Sequence, residues 1–176
     1  MNDRSRAKIK NIDDFLPLHL AIYERGYKQF IELLIDAYPQ ALKEKDPKGM
    51  LPIHIAARDN TILIDIIEML VKCYPPSIQI EDPFGDLPTH ASIRYHLPKE
   101  MTICFLDFFK EAINIPDKAG NTLLNLAIRF QGQIELIEEL LFRKPESIKI
   151  KNNAGDLPFH RACLFNANIN ILTLLY

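Results

Sequence analysis

Histidines and cysteines are the side chains of this 176-residue sequence that could do chemistry. Four of the five histidines, His19, His54, His90 and His160, follow one another at intervals of 35, 36 and 70 residues. To share a metal ion, they would all have to lie about 2 Å from it. Residues one structural repeat apart lie about 10 Å apart when neighbouring helices are packed. We therefore interpret these histidines as architectural and expect no metal and no cofactor.

A cysteine and a histidine three residues apart, His160 and Cys163, could act as nucleophile and base if the thiol were exposed and its pKa depressed. Cys163 stands, however, where the corresponding segments carry apolar residues such as Ile93 and Ile128. We expect a buried thiol at this position. The turn aspartates are also spaced by whole units and have no paired carboxylate for acid and base catalysis. The sequence therefore predicts no catalytic residue.

Composition narrows the possible partners and location. The 21 Lys+Arg against 23 Asp+Glu give a formal charge of −2, so no basic surplus indicates a nucleic acid or an anionic membrane. Three cysteines, Cys73, Cys104 and Cys163, lie in apolar contexts, which favours buried thiols in a reducing compartment. No apolar run approaches the length of a membrane span. We expect a cytoplasmic protein, with a nuclear location also possible.

The histidines belong to a repeated segment that starts with Leu-Pro-x-His. A degenerate copy, Thr122-Leu123-Leu124-Asn125, stands where a fifth member is due. A proline at this place fits the first turn of a short helix, and apolar residues at helical spacing then predict a longer second helix. Ahead of four of the segments lies an Asp-x-x-Gly or Asn-x-x-Gly turn, in which glycine can take a positive φ. The turn glycines are Gly49, Gly85, Gly120 and Gly155.

The turn, the x-P-x-H-x-A helix start, the apolar second helix and the 35-residue period together resemble the ankyrin repeat, whose signature is T-P-L-H-x-A on a period near 33. The resemblance implies an all-α solenoid of about five helix-turn-helix units with hairpin-like turns. Leucine replaces the threonine whose hydroxyl normally bonds the histidine, which marks a divergent subtype. The histidines must then bond elsewhere, for example to the backbone of a neighbouring unit.

The expected organisation is a charged N-terminal segment followed by an ankyrin repeat domain. The segment covers residues 1–10 and the domain covers residues 11–176. The units are about 11–45, 46–81, 82–116, 117–151 and 152–176, and the last is incomplete. The chain stops inside the second helix of this unit, which leaves an apolar edge. We expect further repeats or another chain to cover that edge.

The resemblance implies that a partner protein binds to a concave face made of the turns and the first helices. Positions four and five residues after each histidine carry arginines and aromatic residues, which dominate interface hot spots. Alternatively, the aromatic residues pack back on neighbouring units and the arginines merely solvate the face. Phe84, at a turn tip, is the best single candidate. The candidate partner-binding residues are Tyr23, Arg58, Phe84, Arg94, Tyr95, Arg129, Phe130 and Phe165.

Other turn residues are expected to extend the same surface: Lys48, Met50, Asp86, Lys118 and Asn121. Charge reversal at Arg94 combined with Phe84→Ala should then weaken binding without changing stability. Two function classes remain. The chain is either a non-catalytic scaffold or adaptor, or the targeting or substrate-recruiting part of a larger protein with a catalytic or membrane part beyond Tyr176.

Overall fold

A computed structural model describes residues 4–176 of the chain. Every regular element in this range is helical, and the α-helices come in five pairs. The first helices of the pairs are α1 (Pro17–Tyr23), α3 (Pro52–Ala56), α5 (Pro88–Arg94), α7 (Leu123–Arg129) and α9 (Pro158–Leu164). The second helices are α2 (Lys28–Ala37), α4 (Ile64–Cys73), α6 (Lys99–Phe108), α8 (Ile134–Arg143) and α10 (Ile169–Leu175). This is the ankyrin-type helical repeat fold that the sequence predicts.

Proline starts four of the five first helices, as predicted. In α3, for example, Leu51 is extended and Pro52 is the first helical residue. Proline costs nothing there, because the N–H that it lacks would have no partner inside the helix. In α7 the start is different: Leu123 replaces proline, and the Thr122 hydroxyl accepts the N–H of Asn125 at 3.3 Å.

Short 3₁₀ helices follow the first four second helices, and the sequence did not predict them. They are Pro39–Lys43, Pro75–Gln79, Lys110–Asn114 and Pro145–Lys149, and a further one, Arg4–Lys8, precedes α1. Proline does end the α-helix at Tyr38 and at Tyr74, but it also opens the 3₁₀ helix that leads to the next turn. The 3₁₀ helix at Arg4–Lys8 packs on α1 and α2, within the segment predicted as charged and N-terminal.

The helices form two layers. The first helices stack on one another from α1 to α9, and α4 packs on α6 as α8 packs on α10. The apolar core lies between the layers, where the side chains of Ile22, Ile67 and Phe105 are fully buried. Each unit thus buries its apolar faces against its neighbours, as expected of a stack of repeats.

The hairpin-like turn is a network centred on one side chain. Asp46 Oδ1 accepts the N–H of Lys48 at 2.9 Å and that of Met50 at 2.8 Å, while Gly49 takes a φ of 81°. The same turn is present in the first unit, where the sequence did not predict it. There Asn11 accepts the N–H groups of residues 13 and 15, and Asp14, not glycine, takes the positive φ of 65°.

The prediction of three buried thiols is wrong for two of them. Cys104 is buried, and burial raises its pKa to about 11. Cys73 and Cys163 are exposed. Ile128, the counterpart of Cys163 in the fourth unit, lies in the core shared with the fifth unit, whereas no unit among the described residues covers Cys163.

Candidate functional site

The buried histidines connect each unit to the turn that follows it. His54 Nδ1 accepts the N–H of Leu51 at 3.1 Å, so its proton is on Nε2, which donates to the carbonyl oxygen of Ile80 at 2.8 Å. His90 makes the same pair of bonds, at 3.1 Å and 2.9 Å. Burial lowers the pKa of both rings, which favours the neutral form. Both ring nitrogens of each histidine therefore have partners although the preceding leucine offers no hydroxyl.

The other members of the histidine series differ. His19 Nε2 lies 3.0 Å from the carbonyl oxygen of Glu44, and burial lowers its pKa as well. His160 accepts the N–H of Leu157 but its side chain is exposed. In the fourth unit Asn125 is fully buried, and neither its Nδ2 nor its Oδ1 has a hydrogen-bond partner. Across residues 4–176 no group of three His, Cys, Asp or Glu side chains could hold a metal ion.

The candidate side chains lie along one surface, which we call the turn face: the turn tips together with the C-terminal ends of the first helices. Here Arg58 lies between two aromatic rings, with its guanidinium 4.8 Å from the centre of Phe84 and 4.9 Å from that of Tyr95. It also pairs with the buried carboxylate of Asp82 in the next turn. Burial alone would raise the pKa of Asp82, but hydrogen bonds from the Asp86 amide and from Arg58 lower it.

The next arginine along the turn face is held more tightly. Arg94 donates to both oxygens of Asp86, at 2.8 and 2.9 Å, and to Asp117 in the next turn at 3.1 Å. Its guanidinium lies 5.3 Å from the centre of the Phe130 ring. Asp86 and Asp117 are both buried, so Arg94 neutralises two carboxylates removed from solvent. The sequence prediction that reversing its charge spares stability does not fit this geometry.

At both ends of the row of candidate residues along the turn face, the polar contacts differ from those of Arg58 and Arg94. At the first unit, Tyr23 donates its hydroxyl proton to Asp46 at 2.8 Å, and burial raises the pKa of this phenol. In the fourth unit the exposed guanidinium of Arg129 lies 5.3 Å from the centre of the Phe130 ring and 6.0 Å from that of Phe165. No carboxylate pairs with Arg129 in the part of the chain that the structure describes.

The candidate residues therefore have features of both interpretations, packing on neighbouring units and exposure to a partner. Their aromatic rings pack on arginines of the preceding unit, yet Phe84 remains 64% exposed and Tyr95 remains 38% exposed. Of the additional turn residues, Lys48 and Lys118 are exposed as expected. Three others are buried beneath the turns and do not extend the surface: Met50, Asp86 and Asn121.

The fifth unit presents an exposed apolar edge, as the sequence predicts. Leu164 at the end of α9 is 64% exposed, and Ile169 at the start of α10 is 70% exposed. In the first three units the corresponding residue, Tyr23, Arg58 or Arg94, bonds the next turn. Over the described residues, no helix is both long enough and apolar enough to cross a membrane.

Comparison with known proteins identifies the repeat. Residues 106–162, from the end of α6 to α9, match the family model described as ankyrin repeats (many copies). No curated protein matches the chain. Ankyrin repeats generally mediate protein–protein interactions and are typically non-catalytic. Residues 106–162 are therefore similar to ankyrin repeats, and the same pair of helices recurs in the preceding units.

Proposed function

We propose that this protein is a non-catalytic scaffold or adaptor that binds a partner protein on its turn face. The observation that carries the proposal is Phe84, which is 64% exposed at the tip of a turn. Its position beside Arg58 and Tyr95 groups residue types that contribute most to interface hot spots. Burying this ring against a partner would remove a large apolar surface from water.

The contacts within the turn face also support the proposal. Arg58 and Arg94 are fixed by ion pairs and by the rings stacked on them. Side chains that are already ordered lose less entropy when a partner binds. The face is thus preorganised for binding through much of its length.

The experiment compares two phenylalanines. Phe84→Ala removes the exposed ring of the turn face, and Phe142→Ala removes an 83% exposed ring of α8, in the layer of second helices. Proteins captured from a cell extract by the immobilised chain should be lost with Phe84→Ala and retained with Phe142→Ala. Equal capture by both variants would refute the proposal.

The exposed edge of the fifth unit supports a second candidate function. A chain whose α9 and α10 are covered by further repeats or by another chain would serve as the targeting or substrate-recruiting part of a larger assembly. Leu164 and Ile169 are the side chains that such a cover would bury. A protein that stays monomeric at high concentration and binds no dye for exposed apolar surface would contradict this candidate.

We also propose a cytoplasmic or nuclear location. It is supported by three free thiols, two of them on the surface, which is typical of proteins kept in a reducing compartment.

A further inference from the structure

The arginines of the turn face follow a rule that relates each unit to the next. Four residues after the histidine, Arg58 and Arg94 each pair with the first residue of the following turn, Asp82 and Asp117. In the first unit Tyr23 bonds the corresponding Asp46. These three aspartates are buried, so the second, third and fourth units each provide a fixed carboxylate for the unit before it.

The aromatic partner of each arginine also comes from the next unit. It lies five residues after the histidine position of the next unit, so that Tyr95 packs on Arg58 and Phe130 packs on Arg94. Arg129 keeps this partner, because Phe165 lies 6.0 Å from its guanidinium. Arg129 of the fourth unit thus keeps a ring from the fifth unit beside it.

The carboxylates, by contrast, are missing around Arg129. Asn152 occupies the position of Asp82 and Asp117, and Asn121 occupies the position of Asp86. The two amides bond each other, with Asn152 Nδ2 donating to Asn121 Oδ1 at 3.0 Å. Neutral amides stand at both positions where Arg94 has a carboxylate, although Arg129 and its neighbouring ring are present.

A second cation lies on the turn of the same unit. Lys118 is exposed and, within the residues that the structure describes, pairs with no carboxylate. Arg161 in the next unit does have one, Asp156, at 3.4 Å. The turn face thus carries uncompensated positive charge at Arg129 and Lys118.

We propose that Arg129 is the docking point for an aspartate or glutamate side chain of the partner protein. The inference rests on the proposed function and names the chemistry of the partner at this position. The partner's carboxylate supplies the charge that Asp82 and Asp117 supply in the preceding units, where the same combination of arginine and ring binds a carboxylate. Charge-assisted bonds from a guanidinium to a carboxylate are among the strongest and most directional in proteins.

The test uses the whole chain and a displayed library of random twelve-residue peptides. Selected peptides are resynthesised with amidated C-termini, so that only side chains can supply a carboxylate, and their affinities are measured by fluorescence anisotropy. We expect Asp or Glu to be enriched at one peptide position. Arg129→Gln should weaken binding at least tenfold, and replacing the peptide's acidic residue by its amide should have no further effect on that variant.

A second variant supplies the missing carboxylate from within the chain. Asn152 Oδ1 accepts the N–H groups of Ala154 and Asp156, both at 3.0 Å, just as Asp82 Oδ1 accepts those of residues 84 and 86. Asn152→Asp keeps these acceptors and offers its second oxygen to Arg129. It should therefore compete with the peptide and weaken binding without removing the arginine.

The outcomes separate this inference from the proposed function. Binding within twofold of the original chain in both Arg129→Gln and Asn152→Asp overturns the carboxylate site, as does a selection that yields no acidic peptide or no binder. If the same peptides lose affinity with Phe84→Ala, the turn face is still the binding surface. If none of the three variants changes the affinity of the peptides, the proposed function fails as well.

Discussion

His54 bonds to Ile80, which lies 26 residues further along the chain: its Nε2 donates to the carbonyl oxygen at 2.8 Å. The other ring nitrogen accepts the N–H that opens helix α3. A protonated ring could not accept that N–H, so the bond requires neutral histidine. His54, and His90 in the same way, thereby connect the start of their helix pair to the approach to the next turn.

Stability should fall when the pH drops below about 6.5. The pKa of His19, His54 and His90 is lowered from 6.5 by burial, so the unfolded chain binds protons that the folded chain does not. Their contribution is complete above pH 6.5 and is lost as the pH falls toward the folded-state pKa values. The midpoint of urea unfolding should be clearly lower at pH 5.5 than at pH 7.5.

The control for this prediction is the exposed member of the series. His160→Gln should leave the difference between the two pH values unchanged, whereas His54→Gln should reduce it. A midpoint that does not change between pH 7.5 and 5.5 would show that the buried rings do not control acid stability.

Restoring histidine in the fourth unit should stabilise the protein. Asn125 is buried with both side-chain polar atoms unpaired, which costs about 1–3 kcal/mol. In Asn125→His the longer ring can reach toward the carbonyl of Ile150, the counterpart of Ile80. We expect unfolding to require about 1 kcal/mol more, measured by urea denaturation, while the exposed Asn60→His should change it little. A loss of stability in Asn125→His would contradict the role assigned to the series.

The period of the tetrapeptides made the fold predictable, since a regularly spaced Leu-Pro-x-His identifies helix starts independently of tertiary contacts. The turn of the first unit was missed because Asn11 and Asp14 replace the usual aspartate and glycine. Several of the candidate residues contact one another, such as Arg58 with Phe84 and Tyr95. Their ion pairs were not predictable, because the pairing of Arg94 with Asp86 and Asp117 depends on the orientation of three side chains in two units.

Turn glycines should differ in their tolerance of alanine. Gly120 and Gly155 both have positive φ, so alanine costs about 1–2 kcal/mol at either position. At Gly120 the added Cβ would also lie 2.8 Å from the backbone nitrogen of Asn153, which bonds the Ala119 carbonyl, whereas at Gly155 nothing lies within 4 Å. Gly120→Ala should therefore destabilise by about 1–3 kcal/mol more than Gly155→Ala in urea unfolding. Equal losses would argue against close packing of the turns.

Two arginines of the turn face should contribute unequally to stability. Arg94→Gln leaves two buried carboxylates without their cation and should cost about 1–3 kcal/mol. Arg129→Gln removes a side chain with no carboxylate partner in residues 4–176 and should change stability by less than about 0.5 kcal/mol. Thermal unfolding of the two variants decides the point, and similar melting temperatures would contradict the rule derived for the turn face.

The most direct test of the turn face as a binding surface is site-specific photocrosslinking. A photoreactive phenylalanine analogue is placed at position 84 in one variant and at position 142 in another, both of them exposed phenylalanine sites. The turn-face account predicts a covalent partner adduct from position 84 and none from position 142. An adduct from position 142 with none from position 84 would contradict it.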